Sequence, residues 1–312
     1  MTPKREPADT RSAQTEPAQT EPAQTEPAQT GSAQRESTAP IGIIGGSGLY
    51  GLLDDGSGRS VTVPTPYGAT SSDITLGTFA GRSVAFLPRH GTGHTVAPHR
   101  INYRANVWAL ASLGVKAIVT SSAVGGLNPE LPPGTFVLPD QVLDRTSGRS
   151  DTFYDGDRVQ HVALADPYCP ELRRFAAASL SIIGESFVSR GTTVVIQGPR
   201  FSTRAEAAWF RSAGADLVNM TQYPEVALAA ELNVGLVNLS FITDSDAGDG
   251  AARGQAADDV SAELVFERMA AAQPRLLAML GAIVEGIPDD YAPRRLLPVD
   301  AVAAVLSAKP VG

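Results

Sequence analysis

Residues 217–248 read LVNMTQYPEVALAAELNVGLVNLSFITDSDAG. The stretch opens on a short apolar run, Leu217 and Val218, and passes through a polar loop from Asn219 to Tyr223. Behind Pro224 it predicts a helix. Proline is tolerated in a first turn, Glu225 follows it there, and Val226, Leu228, Ala229, Ala230 and Leu232 supply apolar positions. Gly235 stops the helix, and VGLVNLSFIT is an apolar run of strand length. A β-α-β pattern of this kind brings both strand ends to one edge of a sheet, where open α/β folds bind ligands. That edge would carry the Thr221 hydroxyl and two carboxylates, Asp244 and Asp246. Strand alternation puts the carboxylates on one face unless the chain has already turned towards Gly248. Two carboxylates closing an apolar strand beside a hydroxyl loop suit a polar small molecule better than surface ion-pairing.

The chain around this stretch has 312 residues, enough for one large α/β domain with a full core. Its first 39 residues stand apart: TEPAQ occurs three times in succession between 15 and 29, with degenerate copies on either side. A segment so poor in aliphatic and aromatic side chains cannot offset its ordering entropy, and it is expected to be disordered. It has no apolar core of a secretory signal, and no later stretch is apolar enough to span a bilayer. The net charge of −8 and pI near 5.1 argue against a nucleic-acid partner. The single cysteine, Cys169, fits a reducing, cytoplasmic setting, and four histidines leave little material for a metal cluster.

Outward from the opening stretch, IGIIGGSGLYG at 41–51 reads as a buried strand running into a glycine turn. VTVPTPYG, ITLGTFAG and RSVAFLPR follow as three short strands between Gly and Pro turns. A helix is expected from about Asn102, then a buried strand in VKAIVTSSAVGGLNP and another in TFVLPDQVLDRT. Residues 146–170 form a long irregular connection of the kind that serves a site or a partner. Helices over 171–183, RAEAAWFRSAG and 261–285 complete the body, and LPVDAVAAVLSA after Pro288 predicts a short appended helix. The boundaries are a tail at 1–39, a domain at 40–287 and an extension at 288–312. The fold class is α/β, a single domain with a mixed central sheet flanked by helices on both faces.

Polar groups gather at the strand ends. Gly46, Gly48 and Gly51 fit a dinucleotide fingerprint, a plain tight turn or an anion-cradling loop; polar LLDDGSGR, where a helix should start, favours the last. Arg89 offers a forked donor to a phosphate, with His90 able to donate beside it. His90, His94 and His99 match no zinc spacing, so no metal is expected. Ser121, Ser122 and Thr221 add hydroxyls. Together these groups make a site for one oxyanion, and without a G-x-x-x-x-G-K-[ST] motif free phosphate is favoured over a nucleoside triphosphate.

At these residues the chain resembles the trimeric purine nucleoside and methylthioadenosine phosphorylases. IGIIGGSGL, LPRHG, NYRANVWAL, VTSSAVGGL, DQVLDRTSGR, TFYDG, QGPRFSTRAE and NMTQYPEVALAAE match that family in order, over roughly residues 40–287. The resemblance implies a purine nucleoside phosphorylase-like fold, usually a homotrimer, and a pentosyltransferase activity with inorganic phosphate as co-substrate and no cofactor. It implies phosphate contacts from Ser47, Arg89, His90, Ser122, Ala123 and Thr221. It places Met220 under the ribose, and Phe201, Ser202, Asp244 and Asp246 around the purine. His161 would reach the 5′ substituent of a neighbouring subunit's substrate. Where 6-oxopurine phosphorylases carry Glu and Asn, this chain has Ser202 and Asp244, as the methylthioadenosine enzymes do. An aspartate accepts a hydrogen bond from a 6-amino group but opposes a 6-oxo group, acceptor against acceptor.

The activity so implied is phosphorolysis of S-methyl-5′-thioadenosine to adenine and 5-methylthioribose 1-phosphate, with Asp244 as general acid, Asp246 in support and His90 at the phosphate. DSDAGDG lacks the aromatic and tryptophan expected of the animal enzymes, so Val260 and Ala262 are candidates to line the 5′ pocket. Alternatives from the same family are a broader phosphorylase of adenosine, inosine or methylthioinosine. From other classes, a nucleotide-dependent oxidoreductase and a non-catalytic purine-binding protein stay open.

Overall fold

A computed structural model describes residues 40–46, 49, 52–53, 58–247 and 261–310. The tail over 1–39, Ser47, Gly48, Gly51 and Val260 lie outside the described residues.

Alternation along three central strands explains why both sheet faces are covered. In β1 (Ile41–Gly45), Ile43 and Ile44 are both fully buried but point to opposite faces. The same holds for Ile118 and Val119 in β5 (Ala117–Gly126), and for Leu236 and Val237 in β10 (Gly235–Asp244). Ile43, Val119 and Val237 pack with Leu172 and Leu180 of α2 (Pro170–Ile182) and with Leu276, Leu280 and Ile283 of α5 (Ala262–Glu285). Ile44, Ile118 and Leu236 meet Val107 and Leu110 of α1 (Tyr103–Ser112) and Val226 and Leu228 of α4 (Gln222–Glu231). On that second face, α6 (Val299–Leu306) adds Val302 and Val305, and Trp108 Nε1 donates to Val305 O at 3.0 Å.

The opening region contributes β2 (Arg59–Val61), β3 (Ile74–Phe79) and β4 (Arg82–Pro88). Of the expected VTVPTPYG strand only Val61 pairs, together with Arg59 and Ser60 before it, and Pro64 and Pro66 have no N–H to extend the ladder. β1 lies between β4 and β5 and is parallel to both, so β4, α1 and β5 form a crossover above it. Asn102 caps α1, its side chain accepting from the Ala105 N–H. The expected TFVLPDQVLDRT strand is two strands. Pro139 separates β6 (Phe136–Val137), which pairs with β10, from β7 (Gln141–Arg145), which pairs with β8 (Thr192–Ile196).

α3 (Arg204–Ser212) links β8 to β9 (Leu217–Asn219), and the sheet runs β2-β3-β4-β1-β5-β9-β8-β7, with β10 on β5 and β6 on β10. One expectation from the opening stretch needs correction. β9 (Leu217–Asn219) is antiparallel to β5, whereas β10 is parallel to it, so β9 and β10 run in opposite senses. Their polar ends nevertheless converge, because on the β5 side β9 meets only Gly125 and Gly126, at the end of that strand. A Cβ on Gly125 would stand 2.8 Å from Val218 and 3.1 Å from Asp244 Oδ1, so glycine is what lets the two strand ends close on each other.

Candidate active site

A cavity of about 310 Å³ opens at this convergence, within the size range of small-molecule sites. One end is built from β4 and β5. Arg89, at the end of β4, is 1% exposed. Its Nε and Nη2 donate to Glu225 of α4 at 2.5 and 3.0 Å, and Nη1 donates to Ser121 O at 2.9 Å. The guanidinium fork expected for phosphate is therefore held by a carboxylate, and only its outer N–H groups remain for a ligand. His90 is fixed in the same manner: its Nδ1 lies 2.9 Å from Val96 O, and its own carbonyl accepts from Val96 N. Burial, reinforced by the Arg89 charge, lowers its pKa from 6.5 to about 4. With Nδ1–H on a carbonyl, the neutral ring presents Nε2 as an acceptor, so the donor role expected of His90 is corrected. His94 stacks on it with centroids 4.4 Å apart and meets the Phe266 ring edge-on.

Hydroxyls line the middle of the cavity. Ser122 accepts from Asn238 Nδ2 at 3.0 Å, and Thr221 is held by its backbone N–H on Asn219 Oδ1 at 2.7 Å. Asn219 also takes the Gln222 N–H and gives its own amide to Ala123 O, tying the start of α4 to β5. Met220 O accepts from Arg149 Nη2 at 2.9 Å, and the same guanidinium holds Tyr223 O and Gln197 O.

At the far end β10 stops at Asp244, and Asp246 has turned to φ +48°, so strand alternation does not set their relation. Asp244 Oδ1 instead accepts the Asp246 N–H at 2.9 Å, and Oδ2 accepts the Thr243 hydroxyl at 2.7 Å. Burial raises both carboxyl pKa values, and for Asp246 the neighbouring Asp244 charge raises it further. Asp246 Oδ2 and Ser202 Oγ are both buried without a close hydrogen bond, and the Ser202 hydroxyl stands near enough to Asp246 to lower its pKa against the effect of burial. A buried carboxylate oxygen so weakly satisfied is a strong demand for a donor. Ala262, Val265 and Phe266 of α5 close the cavity with apolar surface.

The cavity thus brings together Arg89, His90, Ser122, Ala123, Phe201, Met220, Thr221, Asp244, Asp246 and Ala262. Ser202 sits beside it, while His161 lies exposed on the long connection and does not line it. Among the described residues no group of three His, Cys, Asp or Glu side chains could hold a metal ion.

The family model described as Phosphorylase superfamily matches residues 40–285. The chain belongs to that superfamily. Among its relatives, S-methyl-5′-thioadenosine phosphorylase of Mycolicibacterium smegmatis is 54% identical over 73% of this chain and 85% of its own. A purine nucleoside phosphorylase of Streptomyces coelicolor is 48% identical over 80% of this chain and 90% of its own. The solved structure of methylthioadenosine phosphorylase from Schistosoma mansoni in complex with adenine superposes with TM-score 0.74 at 32% identity, over 86% of this chain and 97% of that one. Membership bears out the mixed-sheet fold and the phosphorylase resemblance read from the motifs.

Several groups that shape the site carry little local signal in the sequence. Asn219, which lines the cavity, reads as a loop polar residue, and Glu225, which holds Arg89, reads as a first-turn acid beside Pro224. His94 and Phe266 come together only through the fold, 172 residues apart.

Proposed function

We propose that the chain catalyses phosphorolysis of S-methyl-5′-thioadenosine, releasing adenine and 5-methylthioribose 1-phosphate. The observation that carries this reading is the buried pair Asp244 and Asp246, raised in pKa, lining the same cavity as Arg89 and His90. The C1′–N9 bond breaks as a phosphate oxygen bonds to the opposite face of C1′. N9 leaves with the bonding pair, and protonation of the purine at N7 lowers the barrier. Asp244 is the general acid, and the proton of hydrogen phosphate balances the one that leaves on adenine. Asp244 also faces the 6-amino edge, and Asp246 supports it or reads the same edge. Arg89, Ser122, Ala123, Thr221 and Ser47 hold the phosphate, largely by positioning. Neutral His90 accepts through Nε2 from a phosphate or ribose hydroxyl. Met220 and Phe201 flank ribose and base, and Ser202 supports Asp246.

Apolar Ala262, Val265 and Phe266 suit a methylthio group better than a hydroxyl, and Val260 is a further candidate for that pocket. His161 and Val159, which is 65% exposed, lie outside the single chain's cavity; this fits a homotrimer in which they complete a neighbour's 5′ pocket. The reaction needs no cofactor beyond phosphate, and the setting is cytoplasmic. The second reading, broader action on adenosine or inosine, is favoured by the Streptomyces coelicolor relative named purine nucleoside phosphorylase. Phosphorus NMR tests the chemistry: a new sugar 1-phosphate signal from methylthioadenosine and phosphate is expected, and base release without it would mean hydrolysis instead.

A further inference from the structure

Behind the hydroxyl at the centre of the cavity lies a fully buried polar chain. The Tyr168 hydroxyl donates to Gln222 Oε1, and Gln222 Nε2 donates to Asn238 Oδ1 at 3.1 Å. Asn238 Nδ2 in turn donates to Ser122 Oγ at 3.0 Å. Side branches keep the same sense. Ser240 donates to Asn238 Oδ1 at 2.7 Å, and Asn238 donates to Thr120 Oγ1, whose hydroxyl faces Val237 O. Tyr168, Gln222, Asn238 and Ser240 are each no more than 2% exposed.

The direction of the chain is fixed at Thr120. Its hydroxyl faces Val237 O, a carbonyl that can only accept, so the Thr120 oxygen takes an Asn238 Nδ2 proton. Burial holds the Tyr168 phenol protonated beside Thr193, and its hydroxyl donates to Gln222 Oε1. Reversing the amides would turn the Asn238 oxygen towards Thr120 and the Gln222 N–H towards the Tyr168 hydroxyl, breaking both bonds. With the direction set, the Tyr168, Ser240 and Thr120 protons are all used inside the network. The Ser122 proton is not: its oxygen accepts from Asn238, and its O–H has no acceptor among the described residues. Ser122 borders the cavity.

We infer that Tyr168, Gln222 and Asn238 are positioning residues that commit the Ser122 hydroxyl to donate into the cavity, to the bound phosphate. Aligned hydrogen bonds polarise one another, so the chain also strengthens that terminal donor. The inference rests on the phosphate assignment of Ser122 under the proposed function.

A double-mutant cycle on phosphate dependence tests it, with Asn238→Leu, Ser122→Ala and their combination assayed on methylthioadenosine. Asn238→Leu should raise KM for phosphate roughly tenfold, as for one misdirected hydrogen bond to an anion, and leave KM for the nucleoside unchanged. In the Ser122→Ala background it should add nothing. An equal effect in both backgrounds, or one falling alike on nucleoside and phosphate, would show a merely structural role and overturn the inference. A Ser122→Ala enzyme with unchanged phosphate KM would overturn it too, with the phosphorylase reading intact. Absence of phosphate-dependent release from the unmutated protein would instead remove that reading. Should Asn238→Leu not fold, Tyr168→Phe carries the same cycle, with the same dependence on Ser122 expected.

Discussion

Arg89 and Glu225 meet fork to fork, at 2.5 and 3.0 Å, and each side chain is 1% exposed. Glu225 offsets the guanidinium charge, so the field at this end of the cavity is weaker than Arg89 alone would give. Removing one partner leaves a buried charge uncompensated. Glu225→Ala should therefore cost about 3–5 kcal/mol in denaturant unfolding, whereas Arg89→Met combined with Glu225→Leu should recover most of that stability while abolishing activity. A cost below about 1 kcal/mol for Glu225→Ala, the range of exposed pairs, would contradict this account of the pair.

Asp244 is the assigned general acid, and burial raises its pKa towards the range where a carboxyl can hold a proton. Asp244→Asn keeps the shape and one hydrogen-bonding oxygen but cannot supply that proton. Its kcat on methylthioadenosine should fall by about 10²–10⁴, measured as adenine release under saturating phosphate. Full retention of activity would remove the acid role.

The base-reading edge yields a specificity prediction. Ser202→Glu combined with Asp244→Asn exchanges an acceptor for a donor opposite position 6 of the purine. The ratio of kcat/KM for inosine to that for methylthioadenosine should rise at least tenfold. An unmoved ratio would count against Ser202 and Asp244 as the groups that distinguish amino from oxo.

His90 gives a pH signature. Its folded pKa of about 4 lies below the unfolded 6.5, so between these values the unfolded chain binds a proton that the folded chain does not. Its contribution to stability is complete above pH 6.5 and is lost as pH falls towards 4, by up to about 3 kcal/mol. The Asp244 and Asp246 shifts act in the opposite sense, which makes a variant comparison the right probe. His90→Gln should lose less stability than the unmutated protein between pH 7 and 5. An identical loss would mean that the ring is not held neutral in the fold.

Much of this architecture was legible because it is local. The β10 run ending in Asp244, the Asn102 cap and the helix start at Thr203, whose capping box with Glu206 is formed, each depend on residues a few positions apart. The direction of β9 was not legible, since antiparallel pairing of Val218 with Gly125 is decided 93 residues away. The same distance problem hid the site's electrostatics. Arg89 reads as a phosphate fork until Glu225 folds against it, and His90 reads as a donor until Val96 O takes its Nδ1 proton. Asn238 looks like a blemish in an apolar strand; its meaning appears only with Gln222 and Ser122 on either side.

The most direct measurement is phosphate-dependent base release from methylthioadenosine, adenosine and inosine, side by side on the unmutated protein. The carboxylate pair and the apolar α5 wall predict fast adenine release from methylthioadenosine, slower release from adenosine and little from inosine. Release chiefly from inosine would contradict the reading of Asp244 and Asp246, and release from none of the three would contradict the phosphorylase assignment itself.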